Sequence, residues 1–265
     1  MTGIQIVVLA VVQGLTEFLP ISSSGHLVLV PYAFGWNDQG PAFDVAVHFG
    51  SLIAVLLFFR TDVAALLRGG VQVLGGRVET IESRLALGIG LGTVPAAVAG
   101  LLAAGWIESN LRSPAVIVVT LSGYAMLMLL ADRYGKRTRD IADVRVKDAL
   151  LIGLAQTLAL IPGTSRSGVT ITAAMALGLE RQDAARFSFL LAVPVILLAT
   201  GYEMLGMLLG DEPVPWADFG IAAFIAGIVA YLSIDFFMRF VSRIGLLPFA
   251  IYRLLLAGII LYVIT

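Results

Sequence analysis

The sequence predicts an all-α polytopic membrane protein in which six transmembrane helices and two re-entrant helical hairpins form an inverted-topology repeat. Three observations carry this. Of the 265 residues, 59% are hydrophobic and 13% charged, and the mean hydropathy is +0.96, far above the apolar share of a soluble domain. The apolar residues come in long runs separated by short charged loops, whereas a closed barrel would show weaker alternating segments. Two of the runs are interrupted near their middles by polar knots, Pro20-Ile-Ser-Ser-Ser-Gly-His26 and Pro162-Gly-Thr-Ser-Arg-Ser-Gly168.

The first run, Ile4 to Trp36, is cut by its knot into two pieces, each too short to cross a hydrocarbon core that needs about 20 residues of helix. Irregular backbone at membrane depth is tolerated only where protein or a water-filled cavity surrounds it, so this run reads as a hairpin that returns to the side it entered. Its apolar start lacks a basic n-region and a small-residue cleavage signature, which argues against a signal peptide. Spans follow at Phe43 to Phe59, Leu85 to Trp106 and Pro114 to Ala131. The second interrupted run, Ala149 to Leu179, is the second hairpin, and the spans Ala184 to Leu209, Asp218 to Phe240 and Gly245 to Ile264 complete the set. One membrane domain over residues 1–265 is expected, with repeat one at about 1–131 and repeat two at about 149–265, joined by a charged cytoplasmic loop. Each half is one hairpin followed by three spans, and because three is odd the second half is inserted upside down. Gln13 precedes Gly25, and Gln156 precedes Gly168, by the same spacing with a proline between, a weak echo of that repeat.

Charge supports the layout. Of the 17 basic residues, those from Arg60 to Arg84, from Arg133 to Lys147, and Arg181, Arg186, Arg239 and Arg243 fall on one side, which the positive-inside rule makes cytoplasmic. Arg112 alone falls opposite, as does the acidic loop with Asp211 and Glu212; both termini are then external. A formal net charge of −1 gives no electrostatic footprint for nucleic acid, and zero cysteines exclude disulfides, thiolate chemistry and cysteine metal sites.

The knots carry the chemistry. Ser22, Ser23 and Ser24 before Gly25, and Thr164 and Ser165 before Val169, are hydroxyl caps that signal helix N-termini. Two converging N-termini, with unpaired N–H groups and positive dipole ends, suit an anion and phosphate best. Arg166 adds a cation whose fork matches phosphate oxygens, at a cost of about 2.5–3.5 kcal/mol in mid-membrane that demands a counter-charge or anionic ligand. Gln13 and Glu17, four apart, share a helix face, whereas the second repeat has Gln156 but Leu160 in place of the carboxylate. Each half supplies what the other lacks. A carboxylate beside a phosphate needs a proton or a divalent cation between them, which makes Gln13 and Glu17 candidate ligands for Mg²⁺ or Ca²⁺. Ser23 and His26 could pair as nucleophile and base. The bland alternatives are caps without chemistry at Ser22 to Ser24, Gln13 as polar glue between helices, and a structural Glu17–Arg166 ion pair. Asp44 and His48 read as structural or vestibule residues, and Glu203, Asp235 and Arg253 as packing or interfacial ones.

The stretch Gln13-Gly-Leu-Thr-Glu17-Phe-Leu-Pro-Ile-Ser-Ser-Ser-Gly-His26 resembles the (Glu/Gln)-x-x-x-Glu motif and following Ser-Gly-His segment of the bacitracin-resistance family of undecaprenyl-diphosphate phosphatases. Pro162-Gly-Thr-Ser-Arg-Ser-Gly-Val-Thr170 matches that family's Pro-Gly-x-Ser-Arg-Ser-x-x-Thr motif at every fixed position. The resemblance implies hydrolysis of undecaprenyl diphosphate to the monophosphate and inorganic phosphate, in a bacterial inner membrane. It implies Glu17, Ser23, His26 and Arg166 as the catalytic group. Gln13, Ser22, Ser24, Gly25, Thr164, Ser165, Ser167, Gly168 and Thr170 are the expected substrate-binding residues. Ser23 would attack phosphorus with His26 or Glu17 handling the proton; attack by His26, or by water directly, stays open. Expected partners are a polyprenyl diphosphate lipid and the bilayer, with a second copy of the chain as a further candidate. A likeness to phosphatidate-type lipid phosphatases ends at their second catalytic histidine, since His48 comes too early. The competing reading is a lipid-phosphate flippase using the same anion site, because broken helices in inverted repeats are a transporter architecture.

Overall fold

The computed structural model of the protein describes residues 1–111, 113–210 and 214–264. Arg112, Asp211 and Glu212 of the charge pattern lie outside the described residues. Eleven α-helices are described: α1 (Gly3–Thr16), α2 (Ser23–Phe34), α3 (Pro41–Phe58), α4 (Arg60–Leu74), α5 (Ile81–Asn110), α6 (Pro114–Tyr134), α7 (Val146–Thr157), α8 (Arg166–Ala176), α9 (Arg181–Leu209), α10 (Trp216–Ile244) and α11 (Leu247–Ile264). Five of them, α3, α5, α6, α9 and α10, are long and apolar enough to cross a membrane, and α11 carries a shorter apolar stretch, Leu247–Val263. The chain is an all-helical, polytopic membrane protein.

Local chemistry sets the helix starts. Thr2 and Thr80 each close a capping box on α1 and α5, and Ser113 caps α6 with Pro114 in its first turn. The two interrupted runs are the pairs α1/α2 and α7/α8, each broken at its knot. Leu101, Leu102, Phe224 and Leu255 stand exposed, the inverse of a soluble surface and the arrangement that lipid tails favour.

Helix α4 departs from the sequence expectation, which places Arg60 to Arg84 in a loop. Val63 and Leu66 pack against the core, while Leu67, Val71 and Leu74, which continue the same apolar stripe, stay exposed. The helical spacing of those apolar residues is legible, but the segment is too charged to register as a span.

The two halves interlock. Helix α1 packs on α10 and α7 on α5, so each broken pair rests on the penultimate long helix of the opposite half, while α3 also lies along α10. Small residues permit these crossings: a Cβ at Gly153 would sit 2.1 Å from the Gly92 carbonyl oxygen, and one at Gly50 would sit 2.0 Å from that of Ala223. The largest core cluster joins Phe18, Leu19 and Ile21 of the first knot to Phe187 and Phe189 of α9 and Phe237 of α10. The Phe18 and Phe189 rings meet edge to face at 5.1 Å. Burying the first knot in the second half is what brings the two polar segments together.

Candidate active site

In the first knot the backbone leaves α1 at Glu17 and re-enters helix at Ser23, with Ser22 held at φ 75°. Its Oγ accepts the Gly25 N–H at 3.3 Å. The second knot repeats the device: Ser165, at φ 72°, accepts the Gly168 N–H at 3.1 Å. In both, the capping hydroxyl also meets the serine two residues on, Ser24 at 3.4 Å and Ser167 at 3.2 Å. A left-handed serine costs about 1–2 kcal/mol, which a cap of about 1 kcal/mol offsets in part. Strain retained at both helix starts marks them as places where geometry matters more than stability. The N–H groups of Ser23, Ser24, Arg166 and Ser167 have no protein partner among the described residues. Two pairs of free donors therefore lead the helices.

The sequence pairs Gln13 with Glu17, and Gln13 Nε2 does donate to Glu17 Oε2 at 3.0 Å. Ser23 Oγ donates to the same oxygen at 2.7 Å, and Arg166 Nη2 donates to Oε1 at 2.9 Å. Both carboxylate oxygens are thus engaged by groups from both knots. Arg166 also donates to the Ser188 carbonyl and lies 5.6 Å over the Phe18 ring; its remaining N–H groups have no protein partner among the described residues. Thr170 donates to the Arg166 carbonyl at 2.7 Å and meets Ser188 Oγ at 2.6 Å, so it braces the arginine's backbone. Ser167 Oγ donates to the Leu19 carbonyl at 3.0 Å, a direct tie between knots. Gly25 and Gly168 supply the capped amides.

His26 is not placed as a base for Ser23. Its Nδ1 lies 2.7 Å from the Ser22 carbonyl and its Nε2 2.6 Å from Tyr252 Oη, so both ring nitrogens are engaged away from the serine. Glu17 takes that place.

Two residues that the sequence reading keeps outside the site join it. Arg253, read from sequence as packing or interfacial, is fully buried and donates to the carbonyls of Pro20, Gly163 and Thr164 at 3.3, 2.9 and 3.0 Å, as well as to Leu121 and Thr120 on α6. It thereby ties turn carbonyls of both knots to one side chain. His48 donates from Nδ1 to the Asp44 carbonyl at 2.6 Å and turns Nε2 toward Glu17 Oε2 at 3.5 Å. An arginine inside an apolar helix is a sequence signal; the reach of His48 across helices is not.

Some buried polar atoms have no protein partner among the described residues: Gln13 Oε1, both side-chain polar atoms of Gln156, and Thr164 Oγ1. Such atoms call for water, an ion or a ligand. Among the described residues no three His, Cys, Asp or Glu side chains cluster to cage a metal. Gln13 Oε1 beside Glu17 fits a hard cation that takes its other ligands from phosphate and water, as Mg²⁺ commonly does.

The family described as bacitracin resistance protein BacA matches residues 6–259. The chain belongs to that family. An undecaprenyl-diphosphatase 2 of Stutzerimonas stutzeri is 52% identical over 261 residues, 97% of either chain. An undecaprenyl-diphosphatase of Thioalkalivibrio sulfidiphilus is 51% identical over 259 residues, again 97% of each. That of Hahella chejuensis is 51% identical over 263 residues, 99% of this chain and 98% of the relative. Family likeness therefore spans both knots and every helix between them.

Proposed function

We propose that the protein hydrolyses undecaprenyl diphosphate to undecaprenyl phosphate and inorganic phosphate. This recycles the carrier lipid for peptidoglycan synthesis and confers bacitracin resistance. The observation that carries the reading is the unbroken line Ser23 Oγ, Glu17, Arg166, with contacts of 2.7 and 2.9 Å, which joins a hydroxyl and a carboxylate from one half to a guanidinium from the other. The printed names of the relatives supply the substrate.

The diphosphate lies between the two helix starts, where the free amides of Ser23, Ser24, Arg166 and Ser167 and the unpaired N–H groups of Arg166 take its oxygens. Ser23 Oγ attacks the terminal phosphorus as Glu17 Oε2 accepts its proton. The bond from phosphorus to the bridging oxygen breaks, and undecaprenyl phosphate leaves with the proton that Glu17 gives up, which returns the carboxylate to its basic form. Water, deprotonated by Glu17, then cleaves the phosphoserine to give inorganic phosphate and restore Ser23. Direct attack by water with Glu17 as base uses the same groups, and Ser23→Ala separates the two. Gln13 Oε1 and Glu17 would hold a Mg²⁺ or Ca²⁺ ion, which when bound supplies charge neutralisation at the phosphates.

The re-entrant, inverted-topology arrangement belongs to this proposal. The element order, a broken helix pair followed by long helices, occurs twice, with only α4 added in the first half. With the basic loops cytoplasmic, both termini and the site open to the periplasmic face of the inner membrane. Both half-sites belong to one chain, so a homodimer would add no residue to the site.

A lipid-phosphate flippase would use the same anion cradle, but it has no need for a serine hydroxyl donated to a carboxylate. The deciding experiment is phosphate release from undecaprenyl diphosphate by detergent-purified protein, comparing wild type with Arg166→Ala and Glu17→Ala, with and without Mg²⁺ or Ca²⁺. Release lost in both variants supports the phosphatase. No release by folded wild type under any cation turns the reading to transport.

A further inference from the structure

Helix α11 delivers two consecutive residues to the knots. Arg253 pins the turn carbonyls, and Tyr252 meets His26. The Ser22 carbonyl can only accept, so the 2.7 Å contact to His26 Nδ1 places a proton on that nitrogen. The neutral imidazole then presents Nε2 as a lone pair, and Tyr252 Oη, 2.6 Å away, donates to it. The rings lie within 10° of parallel with centroids 5.6 Å apart, so ring tilt and hydrogen bond are set together. His26 is 8% exposed, which leaves Tyr252 as the side chain on its basic nitrogen, and Ser23 is already held by Glu17.

We infer that Tyr252 is the positioning residue for His26. It fixes the rotation of the imidazole and caps Nε2, the one basic nitrogen once the Ser22 carbonyl has set the proton on Nδ1. When His26 gains a proton, Nε2–H donates to Tyr252 Oη while Nδ1–H stays on the Ser22 carbonyl. The pair takes up the charge without moving a heavy atom, so the imidazole keeps its hold on the Ser22 carbonyl beside Ser23 in either protonation state. Because Arg253 donates to Pro20 O from the next residue, the register of Tyr252 against the first knot is locked by the same helix. The part of His26 in turnover, holding the Ser22 turn that presents Ser23, rests on the phosphatase reading.

Tyr252→Phe keeps the stacked ring and removes the hydroxyl. The expected result is a kcat about tenfold lower with KM changed less than about twofold and a melting temperature lowered by no more than a few degrees, as loss of a contact that positions the attacking Ser23 through the Ser22 turn produces. In a His26→Ala background the same change should cost nothing further. Equal losses in both backgrounds, or an unaltered kcat, overturn the inference. The chain has two histidines, so ¹⁵N spectra of histidine-labelled protein, assigned with His48→Gln, read the tautomer without any turnover. Wild-type His26 should show Nδ1–H with a hydrogen-bonded Nε2, and Tyr252→Phe the same tautomer with the Nε2 signal moved to that of a lone pair without a donor. A proton on Nε2 in wild type sinks the idea. If wild type releases no phosphate the phosphatase reading fails, while the spectra still decide the pairing.

Discussion

Replacing Arg253 tests whether one buried guanidinium holds the two knots in place. Arg253→Met keeps an apolar stem of similar girth and removes every donor. Three turn carbonyls, on Pro20, Gly163 and Thr164, then lose their partner in a site that is fully buried. A buried acceptor left unsatisfied costs about 1–3 kcal/mol, and the two contacts at 2.9 and 3.0 Å are the stronger ones. Those two alone come to about 2–6 kcal/mol, a large share of a typical folding free energy. Arg253→Lys offers a single ammonium that cannot fork between turns, and about half of that loss is expected. Thermal unfolding in detergent reads the stability, and phosphate release at saturating and limiting substrate reads the site. Methionine should lower both, with lysine between it and wild type. A methionine variant with wild-type melting and wild-type kcat/KM would show that the knots hold their geometry without Arg253, and the structural account would fail.

With Nδ1–H on the Asp44 carbonyl, His48 Nε2 meets Glu17 favourably only when the ring carries both protons; His48→Ala should then lower kcat/KM about fivefold, the worth of roughly 1 kcal/mol for a partly exposed ion pair, and no loss in the alanine variant refutes the contact. Gly153→Ala places a methyl against the Gly92 backbone and should destabilise by about 1–3 kcal/mol in the same unfolding assay, because neither helix can yield without separating. At the start of α7, burial alone would raise the Asp148 carboxyl, but the Arg139 guanidinium and the Arg145 N–H outweigh it and hold the group below the usual carboxylate range. That stabilisation is complete above an unfolded value of about 4 and is lost as pH falls through the lower folded value. Asp148→Asn should therefore lower the melting temperature at neutral pH, and the gap to wild type should close in strong acid; a gap that persists there rules out the ion pair as its cause.

Much of the site was legible because its parts are local. A hydroxyl before an apolar run marks a helix start wherever it occurs, and both Ser22 and Ser165 prove to be the caps. The spacing of Gln13 and Glu17 dictates a shared face, and the absence of a carboxylate at Leu160 and of an arginine in the first half implies that the halves complete each other. The contact between Arg166 and Glu17 answers that implication. What stayed hidden lies across helices. No spacing rule links His48 to Glu17 or Tyr252 to His26, and the local pairing of Ser23 with His26 yields to a carboxylate on the preceding helix. Arg253 was visible as a charge inside an apolar helix, the same signal that singles out Arg166, yet only tertiary packing reveals that its partners are main-chain carbonyls. Helix α4 escaped for another reason: an amphipathic segment is neither apolar enough for a span nor polar enough for a loop.

The crossed packing of α1 on α10 and α7 on α5 bears on biosynthesis. A ribosome releases the first hairpin early, yet the surface against which Gly14 seats, around Ala226, is made only when most of the chain has been translated. The nascent protein must therefore carry an unsupported Ser23 and Glu17 through the bilayer until α10 arrives, and Arg253, which locks both turns, comes later still. Activity is the last thing synthesis delivers. The dependence also runs the other way: two fragments divided between Gly135 and Arg139 would each display the groove that the other fills, and co-expressed they should find one another and recover turnover that neither has alone.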